Sequence, residues 1–129
     1  MRVRPLLESR LASVVPDGVA IAFDNMHRQP AADETWVRAT LRPGERWQAG
    51  NLERELGTLG LDLHVPAGDG PGPAEDLAAA LTLGMESERL ADAGVTVQPG
   101  LMQYDAGRDE GQWFRLPLSL PYLASEEAA

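Results

Sequence analysis

Two histidines, His27 and His64, are the only imidazoles in this chain of 129 residues, and it has no cysteine. Nucleophilic hydrolysis needs a serine or cysteine activated by a base, and no nucleophile elbow is present, so no triad is expected. His64 falls at a polar position of an alternating segment, where a solvated ring is the reading. His27 shares a polar loop with Asp24 and Asn25. A small hydrolase would use Asp24, His27 and Asp69 around a divalent metal, but two distant histidines lack the close ligand spacing of zinc motifs. The glycine-rich run Gly68-Asp69-Gly70-Pro71-Gly72 precedes a helix, as an anion cradle does. It lacks the Gly-Lys-Ser/Thr ending of a Walker loop, the chain has no lysine, and Asp69, Pro71 and Pro73 repel phosphate or remove donors. The carboxylate pairs Glu53/Glu55, Glu86/Glu88 and Asp109/Glu110 lie in hydrophilic stretches and read as solvated faces and turns. No catalytic, cofactor-binding or metal-binding residue is expected.

Tryptophan and arginine stand out instead. Seven aromatic residues include Trp36, Trp47 and Trp113, and all eleven basic residues are Arg. Both residue types are enriched at binding hot spots. Trp36 with Arg38, Arg46 with Trp47, and Trp113 with Arg115 are therefore the candidate interface residues. The plainer alternative is that a loop of the same chain covers them.

The elements that would carry these residues are legible from periodicity. Apolar positions Leu7, Leu11, Val14 and Val15 make residues 5–15 a short amphipathic helix, with Pro5 in its first turn and Pro16 ending it. Val19, Ile21 and Phe23 alternate as a first strand. A second covers residues 35–42, with Val37, Ala39 and Leu41 on one face and Trp36, Arg38, Thr40 and Arg42 on the other. Leu59, Leu61, Leu63 and Val65 give the third its period of two, and Gly57 and Gly60 point to a bulge or bend at its start. A helix from Pro73 to about residue 91 buries Leu77, Leu81 and Met85, with Gly84 in close packing and Gly94 as its left-handed cap. A fourth strand opens at Val95 and Val97. The last runs over residues 112–120, at a sheet edge or beside a bulge because Pro117 and Pro121 cannot donate to a ladder. The expected fold is α+β: one domain over residues 1–124, with a mixed, mostly antiparallel sheet of about five strands. Two helices pack on one face, in the order α-β-β-β-α-β-β. Residues 125–129 read as a flexible acidic tail.

Hydrophobic residues make up 43% of the chain, enough for a core, while no apolar run approaches the ~20 residues of a membrane-spanning helix. The absence of cysteine and of a signal-like N-terminus makes a reducing cytoplasm the expected compartment. The net charge is −9. Residues 1–43 carry six Arg against five acids and residues 44–129 carry five against fifteen, so the acidity lies in the later two-thirds. Such a surface disfavours specific nucleic-acid binding, which depends on neutralising phosphates, yet lets a polyanion slide past.

The whole arrangement resembles the phage tail-terminator (tail-completion) proteins, in the manner of the lambda minor tail protein U group and its prophage and gene transfer agent counterparts. The matching pieces are the N-terminal helix, Ile21-Ala22-Phe23-Asp24-Asn25, and Thr35-Trp36-Val37-Arg38. They continue with Gly60-Leu61-Asp62-Leu63-His64-Val65-Pro66-Ala67-Gly68, the helix start Ala74-Glu75-Asp76-Leu77-Ala78, and Leu116-Pro117-Leu118 in the closing strand. The resemblance implies a non-enzymatic subunit in the tail of the virion, at its neck end, assembled in the host cytoplasm. Such subunits form a hexameric ring on the tail tube, although they can be monomeric in isolation. The implied partners are other copies, the tail tube protein and a head-completion or connector protein, with DNA passing through the lumen without specific binding and no membrane involved. A neck adaptor docking on the portal side shares these features and is the alternative structural reading.

Overall fold

A computed structural model describes residues 1–24, 31, 33–86 and 88–127. Helix α1, Arg4–Val14, carries Pro5 in its first turn, where a missing N–H costs nothing. It buries Leu7 and Leu11 completely, and Pro16 stops it two residues past its end. Strand β1, Ala20–Ala22, runs parallel to the start of β2, Trp36–Ala49. A two-residue turn at Gly50-Asn51, with Gly50 at φ +62°, returns the chain as β3, Leu52–Pro66. Helix α2, Gly72–Met85, follows the glycine-rich loop. The remaining strands are β4 Leu90–Asp92, β5 Val95–Pro99, β6 Gln103–Tyr104, β7 Arg108–Glu110 and β8 Trp113–Glu127. The sheet order is β1-β2-β3-β8-β5-β4, with β6 and β7 also paired to β8.

The class is the expected α+β single domain, with eight strands among the described residues in place of about five. Strands of two or three residues are too short to show an alternation, which is why β4, β6 and β7 escape a reading by period. Helix α2 ends at Met85, short of residue 91, because Leu90–Asp92 turns back on Val95–Pro99 as a hairpin. Ala93 and Gly94 at its tip both have positive φ, +50° and +83°, as a type I′ turn requires. Gly94 is therefore left-handed as expected, but it serves a hairpin and not a helix cap.

Strand β8 is central, not an edge. It pairs with β3 along its whole length and with β7, β6 and β5 in succession on its other side. The two prolines fall at the gaps between those short partners. Pro117 lies beyond the Tyr104↔Leu118 pair and Pro121 beyond Pro99↔Tyr122, so neither is asked for an N–H. Their carbonyls are used instead, accepting from Asp105 N at 3.0 Å and Gly100 N at 2.8 Å. The expected flexible tail is likewise corrected: residues 125–127 pair with Arg54, Glu53 and Leu52, while residues 128 and 129 lie outside the described residues.

The core lies between one sheet face and the two helices. Leu59, Leu61, Leu63 and Val65 of β3 and Leu116, Leu118, Leu120 and Tyr122 of β8 meet Leu77, Leu81 and Met85 of α2 and Leu7 and Leu11 of α1 in a single cluster. Gly84 lets the helices touch, since a Cβ there would stand 2.6 Å from the Val14 side chain. Arg10 fastens the same junction by donating to the Gly84 carbonyl at 2.9 Å and pairing with Glu88.

The bulge expected in the third strand sits in the second. Between Pro43↔Gly57 and Arg46↔Glu55, β2 advances three residues while β3 advances two. Gly44 is required there, because a Cβ would come within 2.6 Å of the Leu56 carbonyl oxygen. Beyond the bulge the β2–β3 hairpin runs to the end of the sheet, with β3 paired to β8 as far as Leu52↔Glu127 and the outer edge of β2 left bare among the described residues. Residues 42–46 and 48–52 are exposed, as is Leu56, and only Glu55 of the tip is buried.

Candidate assembly interface

The sheet face away from the helices carries the chemistry-bearing side chains. Register places Trp36, His64, Arg115 and Arg108 in one lateral row across β2, β3, β8 and β7. Arg38, Asp62 and Pro117 form the next row, and Thr40, Gly60, Ser119 and Gln103 the one after.

At one end of this face the rings lock together. Trp36 stacks on His64 at 3.9 Å between centroids with an 8° interplanar angle, and Trp113 packs edge-on against both, at 6.0 and 6.3 Å. The Trp113 indole N–H donates to the Glu34 carbonyl at 3.2 Å. Arg38 lies 5.4 Å over the Trp36 ring, within cation–π range. Trp36 is only 7% exposed, and its indole N–H has no partner among the described residues. His64 is half-buried, contrary to the solvated ring expected; its Nδ1–H donates to the Asp62 carbonyl at 3.1 Å. Burial pushes its pKa below the usual imidazole value, against the opposing pull of the Asp62 carbonyl and carboxylate. Arg115 pairs with Asp62 at 3.1 Å and Glu110 at 3.6 Å, so it is internally neutralised.

Four of the six candidate residues, Trp36, Arg38, Trp113 and Arg115, are thus one cluster. Arg46 and Trp47 are not part of it. At ~3.3 Å per residue, Trp47 lies on the order of 35 Å along β2 from Trp36. An unbroken alternation would also put these two tryptophans on opposite faces. The bulge shifts the parity by one, so Trp47 aligns with Arg54 and Ser125 on the same open face as Trp36. Arg46 goes to the other face, where it pairs with Glu53. Leu52 and Leu56, 37% and 46% exposed, share the face of Trp47. His64 and Asp62 are the members of the cluster that the sequence reading left out. Their alternation with Leu61, Leu63 and Val65 opposite Trp36 and Arg38 is the signal that places them there.

Beside the cluster lies a concave groove of about 560 Å³, floored by Thr40, Gly60 and Ser119 and rimmed by Arg42, Asp105 and Arg108. Arg42 and Arg108 are exposed and have no ion pair with any described residue.

Two of the three metal-site candidates, Asp24 and Asp69, are among the described residues. Asp24 accepts from Arg4 at 3.0 Å and from the Leu41 amide at 2.9 Å. Burial alone would raise its pKa, but these two donors more than offset that and hold it below the usual carboxylate value. Asp69 is exposed in the glycine-rich loop, and His27 lies outside the described residues. Among the described residues no group of three or more His, Asp or Glu is placed to hold a metal, and no helix is long and apolar enough to cross a membrane.

A single α+β domain, with an open sheet face bearing aromatic rings and arginines, has the form of an assembly subunit. The family model described as phage tail terminator protein matches residues 2–122, and the chain belongs to that family. Its role is accordingly structural, in the virion tail, where tail terminators meet tail and head components. A solved structure shares the fold at a TM-score of 0.79 and 23% identity, over 95% of this chain and 92% of that one. No curated protein sequence matches the chain.

Proposed function

We propose that the protein closes into a ring, a hexamer, on the last ring of the tail tube, stops tube polymerisation and offers its free side to a head-completion or connector protein. The family match over nearly the whole chain carries this reading. A ring needs two different, complementary surfaces on each subunit, and the open sheet face and the bare outer edge of β2 are candidates for them. On this reading Trp47, Arg38 and Arg115 make contacts between subunits or with the tube. Trp36, itself packed against Trp113, holds Arg38 in place, and Arg46 ties the end of β2 to β3 through Glu53. The acidic bulk of the chain gives the lumen a charge that passes DNA without holding it. The subunit is made and assembled in the host cytoplasm and catalyses no reaction.

The test is to mix the purified protein with tail tubes and examine them by electron microscopy and light scattering. A ring at one end of each tube and arrested elongation are expected. Tubes that elongate unchanged, or rings found only on portal-bearing heads, overturn the assignment; the second result would make it a neck adaptor.

A further inference from the structure

We propose that the outer stripe of α2 in one copy, Glu75, Asp76, Ala79 and Leu83, seats on the open sheet face of the next copy, its acids between Arg42 and Arg108 and Leu83 against Leu56 and Trp47. The inference rests on the ring reading above. The four helix residues are exposed and recur at the three- and four-residue spacing of a single helical face. Leu83, at 87%, is the most exposed large hydrophobic side chain among the described residues, and Leu101 at 65% and Tyr104 at 57% follow it. The segment that carries those two is fastened beside the last turns of α2, where the Tyr104 and Thr82 hydroxyls share a hydrogen bond and the Met102 amide donates to Glu86 Oε2. Apolar side chains gathered in this way on a surface mark a contact site.

Charge selects a second copy as the occupant. Arg38, Arg42, Arg54 and Arg108 stand on the open face by register without an ion pair among the described residues, whereas Asp62 and Glu110 beside them are both engaged by Arg115. Asp105, on the groove rim, accepts from the Ala106 amide. Helix α2 has no basic residue, and Glu75 and Asp76 have no ion pair among the described residues. In a chain of net charge −9, the side that collects unpaired arginines is complementary to the acidic back of another copy.

The two surfaces also match in length. Glu75 and Leu83 lie just over two helical turns apart, about 12 Å. On the open face, Arg42 pairs with Thr58 and Trp47 with Arg54, and β3 covers about 13 Å between those partners, with Leu56 in between. The small floor residues Thr40, Gly60 and Ser119 leave room for the start of the helix. Because α2 and the open face lie on opposite sides of the sheet, the contact joins unlike surfaces and repeats from copy to copy until it closes.

Charge reversal tests the pairing. Glu75→Arg with Asp76→Arg puts cations on the helix stripe, and Arg42→Glu with Arg108→Glu puts acids on the groove rim, so both double variants change only exposed residues. Each is first checked for the wild-type circular dichroism spectrum and then mixed with tail tubes. Either variant alone opposes like charges at every contact, and the fraction of tubes carrying a ring, counted by electron microscopy, should fall about tenfold or more. In an equimolar mixture the two variants can alternate around an even-numbered ring with opposite charges at every contact, and ring-bearing tubes should recover to within about twofold of wild type. A variant that caps tubes as wild type does, or a mixture that caps no better than its components, overturns the contact and leaves the ring standing; the second result fits the tube protein as occupant. Wild-type protein that forms no ring removes both. Where a reversed variant loses the wild-type spectrum, a disulfide decides. The chain has no native cysteine, and Leu83→Cys with Leu56→Cys places thiols on opposite sides of the sheet, beyond reach of each other within one copy. Oxidation of this double variant on tubes should give a ladder of covalent multimers on a non-reducing gel, where either single substitution stops at dimers; rings without a ladder overturn the contact.

Discussion

Tyr122 and Glu55 form the one buried side-chain pair, among the described residues, in which a charge is at stake. The Tyr122 hydroxyl donates to Glu55 Oε2 at 2.8 Å beneath Gly57, whose missing Cβ leaves room for the phenol ring. Tyr122→Phe strands the carboxylate and is expected to cost about 1–3 kcal/mol in urea denaturation, with Glu55→Gln in the same background recovering part of it. Burial, followed by the Glu55 hydrogen bond, raises the Tyr122 pKa above its ordinary value of 10.0. A raised folded-state pKa means stability that is complete below pH 10 and lost as pH climbs through the higher value. The denaturation midpoint should therefore fall above that pH in wild type and stay flatter in Tyr122→Phe. His64 works in the opposite direction: its depressed folded-state pKa gives stability present above 6.5 and lost as pH falls below it. His64→Phe, which keeps a ring against Trp36, should remove that portion of the acid sensitivity.

At the scale of elements, turns and close approaches dominate. Ala93 is the only non-glycine residue with positive φ among those described, and it sits at the first position of a type I′ turn. Ala93→Asn should stabilise the protein by about 0.5–1 kcal/mol in thermal denaturation, since asparagine tolerates that conformation. Gly84→Ala should fail to deliver the roughly 1 kcal/mol that helix propensity offers, because the new methyl meets Val14; Val14→Ala in the same chain should release it. These positions also mark how far the sequence could be read. Helix α1, the first half of β2 and the alternation of β3 are plain from period alone. The second half of β2 is hidden because Pro43-Gly44 looks like a break but forms a bulge. Likewise, the prolines of β8 look like edge markers but fall at gaps between short partner strands. The identity of Trp36, Arg38, Trp113 and Arg115 as site candidates was readable from type and spacing. Their union with His64 was not, because it depends on which strands are neighbours.

For the molecule as a whole, the two ends of the open face should respond differently to mutation. Trp36 is buried in a ring stack, so Trp36→Ala should destabilise the isolated protein by about 3–5 kcal/mol. Trp47→Ala should leave the melting temperature of the isolated protein nearly unchanged and instead reduce the fraction of tubes that carry a ring, counted by electron microscopy. Raising salt from about 0.05 to about 0.5 M (roughly 14 to 4 Å Debye length) should weaken any contact with a neighbour built on the exposed Arg42 and Arg108. The single extra residue in β2 then acquires a larger meaning. Deleting Glu45 would let Gly44 face Leu56 in a regular ladder and leave Arg46 opposite Glu55 and Trp47 opposite Arg54, each on the face it now holds, because Trp47 would then stand an even ten positions from Trp36. What the spare residue changes is the local bend of the outermost strand, so loss of that one codon would straighten the rim of the sheet while every outward-facing side chain kept its side.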